Sequence, residues 1–180
     1  MNAIDCIKTR RSVRRFTEDL VNKELFEEII DIARMAPTWK NTQTLRYMLI
    51  QDKDIINKIC DECLLGFEHN SKTVSKCNNL VLLLQVNGRC GYERDGSFTT
   101  SKGAGWEMFD AGIAAQTFCL AAHDKGIGSV ILGIFDDVKV AEVAGVPEGQ
   151  TVAALIPIGT PAFAPDATPR KEVSELVSYK

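Results

Sequence analysis

Between positions 22 and 36, in NKELFEEIIDIARMA, the apolar residues Leu25, Ile29, Ile32, Ala33 and Ala36 recur every three or four positions, with Phe26 and Ile30 beside them. That period predicts a helix with one buried face. Pro37 ends it, because the residue before a proline is pushed out of helical backbone angles. Four other stretches are apolar without that period: LRYMLI (45–50), NLVLLLQV (79–86), SVILGIF (129–135) and TVAALIPIG (151–159). They have strand length, and NLVLLLQV reads as the centre of a sheet. DKDIINKICDECLLGF (52–67) predicts a second helix. WEMFDAGIAAQTFCLAAHDKG (106–126) predicts a long one closed by a glycine. The small side chains Ala111, Gly112, Ala114, Ala115, Ala121 and Ala122 allow close backbone approach, so this helix belongs in a core or an interface. The polar stretch CGYERDGSFTTSK (90–102) predicts a mobile surface loop. The chain ends in a proline-rich connector and a charged segment.

Composition adds limits. A chain of 180 residues, 45% hydrophobic, can bury one core, since domains commonly run to roughly 100–200 residues. With no repeat or linker to divide it, one domain over 1–180 is expected. The net charge of −3 and a pI of about 5.5 argue against a nucleic-acid binder. No charged leader with an apolar stretch and no apolar run of membrane-spanning length is present, so a soluble, cytoplasmic protein without membrane attachment is expected. Of the six cysteines, Cys60 and Cys63 form a CxxC pair, but no second pair follows at a zinc-like spacing. No metal site is expected, and the thiols suit a reducing compartment.

Candidate chemistry begins with KTRRSVRRF (8–16), where Lys8, Arg10, Arg11, Arg14 and Arg15 surround Ser12 in an otherwise acidic chain. Guanidinium is always charged and forks to hold phosphate oxygens in pairs. The same run is also compatible with a solvated face, or with pairing to Glu18 and Asp19. APTWKNTQ (36–43) carries the amides Asn41 and Gln43, whose donors and acceptors suit the edge of a planar heterocycle; an ordinary polar loop has the same composition. GIGSVILGIFD (126–136) lacks the GxGxxG of dinucleotide folds, and Gly133 after its apolar run would let a ligand approach the backbone. Arg170 and Lys171 form a second basic pair.

Together, RRSVRRF, ARMAPTWKNTQ, DAGIAAQTFCLAAHDKGIGS, ILGIFD and PIGTPAFAPDATPRKEVSELVSY resemble the nitroreductase family of flavin enzymes over the length of the chain. The resemblance implies an α+β fold, a mixed β-sheet flanked by helices in a three-layer sandwich. It also implies a homodimer packed on the long helix, with FMN in each of two sites at the subunit interface. By position, Arg10, Arg11 and Ser12 would hold the phosphate and ribityl end with Arg170 and Lys171. Arg14 would stand beside the N1–C2=O edge as an electrostatic tuner. Pro37, Thr38, Trp39 and Asn41 would form the loop laid against the ring by the partner, and Leu132 and Gly133 the turn facing N5. The implied activity is hydride transfer from NADH or NADPH through FMN to a nitroaromatic, quinone or activated alkene in a ping-pong cycle, with no obligatory acid–base residue. A flavin-binding storage or sensing protein would share the same contacts. Thr44 stands where relatives commonly have proline, and the C-terminal tail is short.

Overall fold

The apolar runs form an α+β structure, described by a computed structural model for residues 1–180. Strands β1 (Leu45–Ile50), β2 (Leu80–Val86), β3 (Gly128–Ser129) and β4 (Gln150–Gly159) make one sheet in the order β1-β2-β4-β3. Its three ladders are antiparallel; the parallel component is a single bridge between Ser12 and Ser129. β2 is central and almost wholly buried, as its unbroken apolar run requires.

Side chains of β2 alternate between two helical layers. Val81 and Leu83 pack with α2 (Lys23–Ala33) and α5 (Gly105–Asp124). Leu80, Leu82 and Leu84 pack with α3 (Lys53–Glu62), α4 (Glu68–Val74) and α6 (Asp137–Ala144). A bulge in β4 keeps the two faces consistent: Leu83 pairs with Ala154 but Leu84 with Val152, so Ala153 is an extra residue. Val152 and Leu155 thereby face one layer, and Ala154, Ile156 and Ile158 the other.

Several boundaries differ from the sequence expectation, each for a local reason. The helix expected over 22–36 spans Lys23–Ala33, with the Asn22 side chain accepting the Leu25 N–H at its start. The helix expected over 52–67 stops at Glu62, and positive φ at Leu65 (51°) and Gly66 (70°) turns the chain into α4, which the pattern did not show. Of the strand expected over 129–135, only Ser129, which joins Gly128 in β3, and an isolated bridge from Leu132 to Leu155 remain. Its ladder fails because Val130 N–H donates to Pro157, whose own nitrogen has no proton to return. The loop at 90–102 is folded upon itself, with Tyr92 bridged to Phe98 and their rings 4.9 Å apart.

The fold places the basic segment against the end of the sheet. α1 (Ala3–Thr9) ends at Arg10, and the chain then runs extended. Val13 N–H donates to Ser129 (3.0 Å), Thr17 N–H donates to Thr160 (2.9 Å), and Ala162 N–H donates to Arg15 (3.0 Å).

Candidate functional site

Arg10 and Arg11 from the N-terminal segment and Arg170 from the tail line one cavity of about 300 Å³, together with Lys8 and Thr168. No acidic residue lines it. The molecule's six ion pairs leave out Arg10, Arg11, Arg14, Arg15, Arg170 and Lys171. Asp19 pairs with none of them; its carboxylate accepts from the Thr17 hydroxyl at 2.7 Å. Arg11 Nη1 instead donates to the carbonyls of Lys8 (2.7 Å) and Arg10 (2.9 Å). Ser12 is half-buried next to this segment, and Lys171 is exposed outside the cavity.

Arg14 belongs to a second basic cavity, of about 500 Å³, shared with Arg15, His69, Lys72 and Lys76. Its Nη1 donates to the Ser12 carbonyl at 3.3 Å, and Arg15 lies over the Phe163 ring at 5.7 Å. His69, Lys72 and Lys76 were not foreseen as site residues. Their i, i+3, i+7 spacing in HNSKTVSK was the available signal, and it goes unread when α4 is not recognised.

The 36–43 loop lies elsewhere: none of Pro37, Thr38, Trp39 or Asn41 lines either basic cavity. Pro37 and Asn41 are exposed, and Lys40, Asn41 and Gln43 have φ of 45°, 55° and 50°. The turn is held at both ends. Thr38 Oγ1 accepts the Gln43 N–H at 3.0 Å, and the Trp39 N–H donates to Asp110 Oδ2 at 2.7 Å. Trp39 and Trp106 pack as a tilted pair with centroids 4.5 Å apart. Asp110 is another residue that sequence reasoning missed; its mark was a carboxylate directly before the small apolar run Ala111–Ala115 of α5.

Leu132 is buried and exchanges two hydrogen bonds with Leu155, of 2.8 and 3.2 Å. Gly133, next to it, is exposed, its N–H donates to no backbone carbonyl, and a Cβ built there would meet nothing within 4 Å. Backbone and space at Gly133 are therefore free for a ligand. The six thiols are all free and all pushed up by burial, Cys77 to about 11 and Cys90 to about 12. None is poised as a nucleophile at neutral pH. No three His, Cys, Asp or Glu side chains cluster to hold a metal, and no helix is long and apolar enough to cross a membrane.

Residues 7–160, nearly all of the segment that carries these features, match the description "Nitroreductase family". The chain belongs to the nitroreductase family. An NADPH-flavin oxidoreductase of Vibrio harveyi is 28% identical over 174 residues, covering 94% of this nitroreductase-family chain and 70% of its own length. Among solved structures, a nitroreductase family protein of Streptococcus pneumoniae superposes with a TM-score of 0.85 at 21% identity, over 99% of this chain and 100% of its own. A protein of Exiguobacterium sibiricum solved in complex with FMN superposes with a TM-score of 0.84 at 17% identity, over 100% and 98%. These likenesses establish the nitroreductase fold for the sheet and its two helical layers.

Proposed function

We propose that this nitroreductase-family chain is an FMN-dependent oxidoreductase that takes reducing equivalents from NADH or NADPH and passes them to a nitroaromatic, quinone or activated alkene. The observation that carries the reading is the meeting of Arg10, Arg11 and Arg170, from opposite ends of the chain, around one acid-free cavity with no ion-pair partners. Keeping several guanidinium groups together without acids is unfavourable unless a multivalent anion joins them, and a phosphate monoester suits that need. Ser12 lies at the same segment, and Lys171 extends the positive field. The FMN named in the complex of the Exiguobacterium sibiricum relative is such a phosphate monoester.

When bound, FMN would supply hydride acceptance and donation. The chain's residues hold, orient and tune. Arg14 would supply the cation for the N1–C2=O edge, where reduction places negative charge. The free N–H of Gly133 is the donor available to the N5 edge, and Leu132 anchors that turn to β4. The proposed order is a ping-pong cycle, in which the chain's residues would bind donor and acceptor in turn while the bound group supplies the hydride chemistry.

The proposed working unit is a homodimer with FMN between subunits. Pro37, Thr38, Trp39 and Asn41 line neither basic cavity of their own protomer, which suits a loop that serves the partner. Met108 and Phe109 project exposed from α5, Leu176 and Tyr179 project from the tail, and the outer edge of β1 is unpaired. Beside that edge a cavity of about 730 Å³ has a floor of Phe26, Ile30, Leu45, Tyr47 and Leu49, apolar surface that a second copy would cover.

The test is the visible spectrum of the purified protein, before and after anaerobic addition of NADH. A flavin band that bleaches supports the enzyme. A band that persists with both NADH and NADPH favours a flavin-binding storage or sensing protein. A colourless protein that also binds no added FMN removes the proposal. Arg10→Ala should weaken binding in a flavin titration by about 1.5–3 kcal/mol, the loss of one charge-assisted phosphate contact.

A further inference from the structure

The turn after Pro37 is among the most constrained stretches of backbone in the chain. Lys40, Asn41 and Gln43 all occupy the left-handed region, with φ of 45°, 55° and 50°. Non-glycine residues persist there only where the surroundings over-determine them. One restraint is internal, from Thr38 Oγ1 to the Gln43 N–H. The other comes from α5: Asp110 Oδ2 accepts the Trp39 N–H at 2.7 Å and the Cys90 thiol at 3.1 Å. Asp110 is 2% exposed, Cys90 is 0% exposed, and no cation pairs with this carboxylate.

A buried carboxylate without a counter-charge is unfavourable, and its neighbours Ala111, Ala114 and Ala115 show that small apolar residues suit this stretch of helix. Packing therefore gives no reason for an acid here; the grip on the loop does. The Trp39 indole Nε1 is buried without an acceptor, so no hydrogen bond of the ring itself positions it; the amide clamp, the Trp106 contact and Lys40 Nζ, 5.7 Å from the ring centroid, do. The Cys90 thiol, pushed up to about 12 by burial and then by Asp110, stays a protonated donor.

We propose that Asp110 is a positioning residue: by gripping the Trp39 amide while Cys90 donates to the same oxygen, it sets the Trp39 ring and its turn as a wall of the pocket in which the electron acceptor docks. This rests on the flavin reading above, which lays the same turn against the partner's ring. The reacting atoms are not touched by Asp110. Its effect belongs in acceptor affinity, not in the rate of the bound complex.

The experiment compares Asp110→Asn, Cys90→Ala and Cys90→Ser with the parent protein in two readouts. In the far-ultraviolet circular dichroism of the protein as purified, the Trp39–Trp106 pair gives an exciton couplet. It should shrink in Asp110→Asn, where a neutral amide oxygen, a weaker acceptor, replaces the charged oxygen that takes both donors, and a new NH2 group is buried beside it. It should shrink less in Cys90→Ala and return in Cys90→Ser, which restores a donor. In steady-state kinetics with p-benzoquinone as acceptor, Asp110→Asn should raise KM roughly tenfold with kcat held within about twofold, the scale of one charged hydrogen bond. A parental couplet and parental KM in Asp110→Asn overturn the proposal even if the melting temperature falls. Should Asp110→Asn fail to fold, identical couplets and KM values in Cys90→Ala and Cys90→Ser overturn it. A parent protein that takes up no flavin overturns the flavin reading and the pocket role with it, whatever the couplet does.

Discussion

At Gly128 the basic segment and the sheet meet without room for a methyl group. A Cβ there would lie 2.8 Å from Val13 Cβ and 3.0 Å from Pro161 Cγ. Gly128 does not have positive φ, so the requirement is space and not backbone freedom. Gly128→Ala should push Val13 away and cost about 1–3 kcal/mol. Because Val13 lies between Ser12 and Arg14, flavin affinity should fall as well. Denaturant unfolding and a flavin titration check both, and parental values in each would mean that the contact relaxes freely. Single residues were legible in the sequence only where chemical type sufficed. Arg10, Arg11 and Arg170 could be singled out because guanidinium has few roles beside binding or pairing with anions. Asp110 could not, since its meaning lies in the Trp39 amide 71 positions away.

Among the elements, α5 was the most legible helix and carries much of the energy. It lacks a continuous charged face, and it lies buried between α2 and the sheet. Phe118 is its anchor, 0% exposed, with the Phe26 ring edge-on at 6.3 Å and the Tyr47 ring stacked at 5.4 Å. Phe118→Ala should cost about 3–5 kcal/mol by removing these contacts and leaving a cavity. Chemical denaturation would show this as a lower midpoint with an unchanged slope; an unaltered midpoint would mean that the layer collapses to fill the gap. Other elements were harder to read because tertiary partners decide their ends. The third strand stops where Val130 meets Pro157, and the break between α3 and α4 sits at Leu65 and Gly66, where local apolar content alone suggests continuation.

For the whole molecule, burial of neutral acids predicts how stability depends on pH. Tyr47 is pushed from 10.0 to about 12, Cys77 from 9.0 to about 11, and Cys90 from 9.0 to about 12, with burial the first cause in each case. The unfolded chain releases these protons at lower pH than the folded one. Their contribution is therefore complete below the unfolded value near 9.0 and is lost as pH rises through the folded values. Thermal melts between pH about 8 and about 10.5 should show a falling midpoint, with a shallower decline in Cys77→Ala. A parental slope in that variant would place the alkaline sensitivity in other groups.

Hydrophobic period and residue type, both local properties, were enough to determine from the sequence a central β2, an amphipathic α2, a buried α5 and a concentration of cations at positions 10–15. Tertiary structure decided which cations share a cavity. Arg170 joins Arg10 and Arg11, whereas Arg14 turns to His69 and Lys72, because the extended segment is bonded to Ser129 and Thr160 and the tail returns past it. It also decided that Trp39 is held by Asp110 and that the Gly133 N–H is left free. Such facts depend on contacts between positions far apart in the chain, and a one-dimensional pattern contains the residues that make them but not the path that brings them together.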